Sequence, residues 1–262
     1  MNRIKGKLIL VTGASSGIGE ACARRFAAEG AQLALWARRR VRLESLGRAL
    51  EAQHGVAARL TEVDVRDRAA VSRAAETLVA AGQVPDVLIN NAGLASGLSK
   101  VHEGDPEDWD RMIDTNLKGL LNVTRAVLPH MVARRRGHVV NIGSVAAHQT
   151  YPMGNVYNAT KFAVRALTEG MNLDMAGTPI RVSTVDPGMV ETEFSEVRFH
   201  GDRERAKAVY QGLQPLTADD VADTIAYIVN LPEHVNIVDL IIMPTAQRNV
   251  YVVDRGSPMS GE

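Results

Sequence analysis

The sequence predicts an α/β domain built on a doubly wound sheet of about seven parallel strands flanked by helices. Three observations carry that prediction. Short, almost wholly apolar runs alternate with stretches of helical periodicity, as expected of strands buried on both faces of a parallel sheet. A glycine-rich turn joins the first run to the first helix. Polar and turn-forming residues gather at the carboxyl ends of the runs, the edge where open α/β sheets take their ligands.

The elements follow in order. Leu8–Val11 is the first strand, and Glu20–Glu29 continues the helix that the turn opens. Gln32–Ala37 is the second strand, and Val41–Gln53 carries apolar residues at helical spacing. Val56–Val63 reads as the third strand, closed by Asp64-Val65, with a helix starting near Asp67. A short fourth strand, Val87–Ile89, runs into Asn90-Asn91-Ala92-Gly93. Pro106–Arg134 reads as one long amphipathic helix whose stripe includes Trp109, Ile113, Leu117, Leu120, Val123 and Val127. Gly137–Ile142 is the fifth strand and delivers Ser144 to the carboxyl edge. The helix of Tyr157 and Lys161 runs to about Met175, and Ala159, Ala163, Ala166 and Gly170 trace a face of small residues. That face suits a subunit interface or burial under the protein's own sheet. Ile180–Val185 is the sixth strand, Thr217 caps a helix to Asn230, and Val238–Met243 is the seventh strand. Residues 191–215 read as a polar, irregular lid on a domain of residues 1–247, and 248–262 as a peripheral tail.

Composition bounds the function. Thirty basic residues balance thirty acidic ones among 262, so no global field points to nucleic acid or a membrane, and a small-molecule partner is expected. The N-terminal apolar run is too short for a signal or a span, which predicts a cytoplasmic protein. Cys22 is the only cysteine and reads as a packed helix thiol; the histidines lack ligand spacing, so no metal is expected.

The turn Thr12-Gly13-Ala14-Ser15-Ser16-Gly17-Ile18-Gly19 lets backbone N–H groups approach a pyrophosphate, with Gly13, Ser15, Ser16, Gly17, Ile18 and Gly19 as its contacts. A glycine triplet alone is weak support, but the second strand ends in Arg38 and Arg39, where dinucleotide folds read the ribose. No acid stands there. A guanidinium fork matches a 2′-phosphate, so NADP is the expected cofactor, while Arg40 and Arg42 read as solvated. Asp64 and Val65 suit the adenine, with Asp64 as a helix cap the competing role. Asn90, Ala92 and Gly93 leave room for a flat cofactor. Backbone groups of Pro187, Gly188 and Val190 suit the nicotinamide carboxamide, and Thr192 a phosphate. Tyr157 and Lys161, four residues apart, share a helix face, so the ammonium can favour a phenolate. In isolation the pair equally fits an ordinary helix tyrosine and a solvated lysine. Asn116, on the apolar stripe, is either a hydrogen-bond hub or the holder of a water.

Thr12-Gly13-x-x-x-Gly17-x-Gly19, Asn90-Asn91-Ala92-Gly93, Asn116, Ser144, Tyr157-x-x-x-Lys161 and Pro187-Gly188 occur in the order found in the short-chain dehydrogenase/reductase family, which the chain resembles over about residues 5–245. The resemblance implies a single Rossmann-type domain and a homo-oligomer, a tetramer. It also implies that Ser144 bonds the substrate oxygen, Tyr157 exchanges its proton, Lys161 lowers the tyrosine pKa and holds the nicotinamide ribose, and Asn116 positions a water.

Met112-Ile113-Asp114-Thr115-Asn116, Thr192-Glu193-Phe194-Ser195-x-Val197-Arg198-Phe199 and Ile242-Met243-Pro244 further resemble the NADP-dependent 3-hydroxy acid dehydrogenases, which oxidise serine and allo-threonine. Such a substrate needs a cation for its carboxylate, and Arg198 is the candidate, with His148, Met189 and Phe194 beside Ser144 as further substrate contacts. Arg198 as an exposed lid charge is the alternative. A broad carbonyl or alcohol reductase without a carboxylate requirement, and a non-catalytic NADP-sensing regulator on the same fold, are the rival functions.

Overall fold

The computed structural model describes residues 2–256. The chain alternates strand and helix: β1 (Leu8–Thr12), α1 (Gly17–Ala28), β2 (Gln32–Ala37), α2 (Arg40–His54), β3 (Arg59–Glu62), α3 (Arg68–Ala80), β4 (Val87–Asn90), α4 (Pro106–Ile113), α5 (Leu120–Ala133), β5 (Gly137–Ile142), α6 (Asn155–Asp174), β6 (Ile180–Pro187), α7 (Phe194–Arg198), α8 (Arg203–Ala208), α9 (Ala218–Val229) and β7 (Asp239–Ile242). The seven strands are parallel in the order β3-β2-β1-β4-β5-β6-β7. Winding reverses between β1 and β4, so the crevice at their carboxyl ends is where this topology leaves room for a ligand.

Alternate side chains of each central strand go to opposite layers. Ile9, Val11, Leu33, Leu35 and Ile89 join the core with α1, α2 and α9 residues such as Phe26, Leu46 and Ile225. Leu8, Leu10, Trp36, Leu88 and Val139 join the other core, with Val71 of α3 and Val123 and Val127 of α5. Burial on both faces is why these runs contain no polar alternation.

Several expectations change. β3 begins at Arg59 rather than Val56, because only Arg59–Glu62 is in register with β2, its sole neighbour at the sheet edge. The helix over 106–134 is interrupted by a π-helical turn at Asp114–Gly119. The wider turn holds Asn116 inward, where its side chain bonds both backbone groups of Leu94 (2.8 Å each) and donates to Thr160 Oγ1 (3.1 Å). Residues 193–215 are only partly irregular: two short helices, α7 and α8, interrupt turns, Ser195, Phe199 and Ala206 are buried, and the Gly97 N–H donates to the Arg198 carbonyl (2.9 Å).

Up to Gly256 the tail lies on the surface but is tied down by hydrogen bonds. Arg255 donates to the carbonyls of Gln211 (2.6 Å) and Val209 (3.0 Å), while the Tyr251 hydroxyl donates to the Thr150 carbonyl, so the tail ties the lid to the loop before α6. Its residues 257–262 lie outside the described residues. On α6, Ala159 and Ala166 are exposed, whereas Tyr157, Asn158, Lys161 and Val164 turn inward. The small face therefore does not lie under the sheet. Cys22 is fully buried in α1. Among the described residues, no helix is long and apolar enough to cross a membrane.

Candidate active site

The crevice opens above β1 and β4. Thr12, the last residue of β1, holds the two strand ends apart in a defined way: its hydroxyl accepts from the N–H groups of Asn91 and Ala92 (3.0 Å each). Asn91 in turn donates to the carbonyls of Thr12 (2.9 Å) and Gly13 (3.3 Å), fixing the turn that precedes α1. Gly13 adopts φ 65° and Gly17 φ 54°, both left-handed. At Gly19 an added Cβ would lie 2.5 Å from the Gly13 carbonyl oxygen, so only glycine allows the turn to fold this tightly onto its helix. The cradle that results matches a phosphate at a helix N-terminus.

One continuous cleft is lined by Gly13, Ser15, Ser16, Gly17 and Ile18 of this turn, Arg38 and Arg39 after β2, Asp64 and Val65 after β3, Ala92 and Gly93 after β4, Ser144 after β5, Tyr157 and Lys161 of α6, and Pro187, Gly188, Val190, Thr192 and Phe194 after β6. Almost every expected cofactor residue is therefore brought to one surface. Gly19 instead packs beneath the turn. Asn90 faces away from the cleft, donating to Thr124 Oγ1 (2.9 Å) and Asn141 Oδ1 (3.0 Å), and it ties β4 to β5 and α5. The asparagine on the cleft is Asn91. Asp64 does not cap α3; Asp67 does, accepting from the Ala70 N–H (3.0 Å). Partial burial pushes the Asp64 pKa up, but side-chain and backbone hydrogen bonds from Arg66 outweigh it and hold the carboxyl below its ordinary value.

At the deep end, Lys161 Nζ donates to the Ile142 carbonyl (2.8 Å) and lies 5.8 Å from the centre of the Tyr157 ring. Burial pulls its pKa from 10.5 to about 8, against the nearby Asp186 carboxylate, which raises it. Burial also raises the pKa of Tyr157; the Arg198 charge and the neighbouring Ser144 hydroxyl pull it back, and Asp186 pushes it further up. Arg198 is thus a cation that acts on the phenol beside Lys161, whose Nζ lies over the same ring. Ser144 Oγ accepts from the Ala146 N–H (3.1 Å) and caps the short turn after β5. Asn116 acts as a hydrogen-bond hub, its Nδ2 donating to Leu94 and Thr160 and its Oδ1 accepting from the Leu94 N–H with one further acceptor position left.

Arg198 is not an exposed lid charge. Its guanidinium carbon stands 5.1 Å from the Tyr157 ring centre, 5.5 Å from that of Tyr151 and 5.7 Å from that of Phe194, and it donates to the Tyr151 hydroxyl. Its Nε is buried without a partner among the described residues. Arg198 is not itself among the residues lining the cleft but lies against the rings of Tyr157 and Phe194, which are; His148 and Met189 do not line it either. His148 Nε2 meets the fully buried Asp186, whose other oxygen accepts from Thr184 Oγ1 (2.6 Å), and Asp239 completes a cluster with ligand atoms within 4.8 Å of one another. The Met189 backbone N–H donates to Gln247 Oε1 (2.8 Å).

Sequence reasoning also passed over Trp36, Leu94, Thr115, Glu193 and Val197, which line the same cleft. Only Glu193 had a usable signal, being an acid between Thr192 and Phe194. Arg42, read as solvated, pairs with it.

A family model described as short chain dehydrogenase matches residues 7–203. The chain is 46% identical over 241 residues to an NADP-dependent 3-hydroxy acid dehydrogenase, YdfG, of Salmonella typhi, covering 92% of this chain and 96% of that one. It is 43% identical over 240 residues to a serine 3-dehydrogenase of Agrobacterium fabrum, covering 91% and 94%. Among solved structures, the closed form of a serine dehydrogenase complexed with NADP+ superposes with a TM-score of 0.87 at 44% identity, over 92% of this chain and 96% of that chain. With the glycine cradle, the Ser144, Tyr157 and Lys161 constellation and these relatives agreeing, the chain belongs to the short-chain dehydrogenase family.

Proposed function

We propose that this protein is an NADP-dependent oxidoreductase that moves a hydride between the nicotinamide and the carbinol carbon of a small, serine-like 3-hydroxy acid, with Tyr157 as the acid/base. The observation that carries the substrate class is Arg198, a cation whose buried Nε lacks a partner and which stacks on the Tyr157 ring. A 3-hydroxy acid has its carboxylate two carbons from the carbinol carbon. Carboxylate on Arg198 would therefore bring the hydroxyl to Tyr157 and Ser144. Charge-assisted bonds to guanidinium favour this orientation over one with the carboxylate in solvent.

The cleft suits NADP on the chain's own features: the turn that only Gly19 allows, the exposed Arg38 beside it, and the apolar walls Ile18 and Val190. Relatives named for NADP dependence, and a similar structure holding NADP+, support the same cofactor. Bound there, NADP supplies the hydride acceptor, and its chemistry is the cofactor's own. The protein's residues do the rest. In the oxidation direction, Tyr157 accepts the hydroxyl proton as the carbinol hydrogen leaves as hydride, giving the 3-oxo acid; in reduction it returns the proton. Ser144 holds the reacting oxygen. Lys161, fixed by the Ile142 carbonyl, would hold the nicotinamide ribose and favour the phenolate. Arg198 orients the substrate and favours the phenolate.

A homo-oligomer belongs to the same reading, supported by the exposed small face of α6. The test is a screen with NADP+ of short 3-hydroxy acids against the matching uncharged alcohols. Turnover confined to the acids is expected. Equal turnover of the alcohols would replace this reading with a broad alcohol reductase, and no hydride transfer to any of them would favour a regulator.

A further inference from the structure

The rim of the cleft holds an acid where an anion-binding corner is expected. Arg39 directs all three of its nitrogens inward: Nε to Ser15 Oγ (3.1 Å), Nη2 to Ser16 Oγ (2.5 Å) and Nη1 to Glu193 Oε2 (2.9 Å). Arg42 donates to the other oxygen of Glu193. Burial raises the Glu193 pKa, but the two guanidinium groups outweigh it and hold the carboxyl below its ordinary value, so at neutral pH it is an anion. Two arginines therefore hold one carboxylate, one of them anchored on two serine hydroxyls of the glycine turn, with Arg38 left exposed on the same rim. The carboxylate comes from the lid: Glu193 immediately precedes α7, and its carbonyl accepts the Val197 N–H (3.0 Å) in the first turn of the helix that ends in Arg198.

We propose that Glu193 is an internal stand-in for the 2′-phosphate of the cofactor, seated on Arg39 and Arg42 until that phosphate displaces it, and that its release frees the base of the lid carrying Arg198. This rests on NADP being the cofactor. A phosphate monoester brings nearly two charges and three acceptor oxygens against one charge and two oxygens, so it wins the guanidinium groups. The ribose hydroxyl of NAD is neutral and leaves Glu193 in place. Glu193 thus lowers the net gain from 2′-phosphate binding and links the identity of the cofactor to the position of the substrate cation. The coupling is reciprocal, because whatever holds the lid away from Arg39 raises affinity for the phosphate.

The experiment compares wild-type protein with Glu193→Gln, an isosteric change at a half-exposed site, by titration with NADPH and NADH and by amide hydrogen exchange of the free proteins. NADPH is expected to bind the variant roughly two- to tenfold more tightly, as two half-exposed ion pairs are removed, while NADH binding stays the same. Exchange at the Val197 amide should be faster in the variant. If NADPH binds the variant no more tightly, or if both cofactors weaken together, Glu193 is a fixed clamp and the stand-in role is overturned. A wild-type protein that binds NADPH no better than NADH overturns the cofactor reading, and this role with it. Arg38→Asp separates the two: it should remove the NADPH preference while leaving the Val197 exchange rate as in wild type, and a faster rate there would count against the latch.

Discussion

Replacing Lys161 by Met tests the electrostatics of the site through stability rather than turnover. Burial brings the Lys161 ammonium down to about 8 in the folded protein, whereas the unfolded chain keeps the ordinary 10.5. Between those values the unfolded state binds more protons than the folded one, so this group makes stability rise with pH across the window. The full span corresponds to about 3 kcal/mol, and between about pH 7 and about pH 9.5 the gain is about 2 kcal/mol. Met fills nearly the same volume without titrating, and groups that do not face Lys161 titrate alike in both proteins. Urea denaturation of wild type and Lys161→Met at the two pH values therefore isolates the lysine. Wild type should gain about 2 kcal/mol on the variant at the higher pH. A difference that stays constant, or moves toward the variant, would show that Lys161 keeps an ordinary pKa and that its buried charge is compensated by more than Asp186.

Tyr157→Phe should lower kcat by roughly 10²–10⁴-fold, the usual contribution of a positioned acid/base, while NADPH titrations remain at the wild-type value. Arg198→Met should cost carboxylate substrates about 1.5–3 kcal/mol, roughly 10–150-fold in kcat/KM, beyond whatever uncharged alcohols lose through the weaker pull on the Tyr157 phenol; equal losses on both would remove Arg198 from substrate binding. Gly19→Ala places a Cβ 2.5 Å from both the Gly13 carbonyl oxygen and Asn91 Nδ2, so urea unfolding should show a loss of about 1–3 kcal/mol together with weaker cofactor binding.

What the sequence made legible follows from the physics of each feature. Strands buried on both faces are largely apolar, so Leu8–Thr12, Gln32–Ala37 and Gly137–Ile142 declare themselves even though the last carries buried His138 and Asn141. That Ser144, Tyr157 and Lys161 meet in one cleft was legible because their placement depends only on position along one strand end and one helix face. The features that escaped depend on partners distant in sequence. His148 looked like a loop residue facing the pocket, yet its partner Asp186 lies 38 residues later on β6, brought there by the β5 and β6 pairing. The π-helical turn leaves the apolar stripe intact on either side, so periodicity alone does not mark it; only the hydrogen bonds of Asn116 to Leu94 do. The tail appeared peripheral because its anchors are single polar contacts, Arg255 to lid carbonyls and Tyr251 to Thr150, with no apolar pattern to announce them. Glu193 sits in the quoted Thr192-Glu193-Phe194 string, but its meaning arises only when the lid base folds onto Arg39.

The central claim is that hydride leaves the carbinol carbon of a 3-hydroxy acid for the nicotinamide, under the control of Tyr157. Its most direct test is oxidation of serine deuterated at the carbinol carbon with NADP+, followed by mass analysis of the reduced cofactor. One deuterium is expected in each NADPH formed by the wild-type protein, and almost no NADPH from Tyr157→Phe. NADPH formed without deuterium, or formed at wild-type rate by Tyr157→Phe, would contradict it.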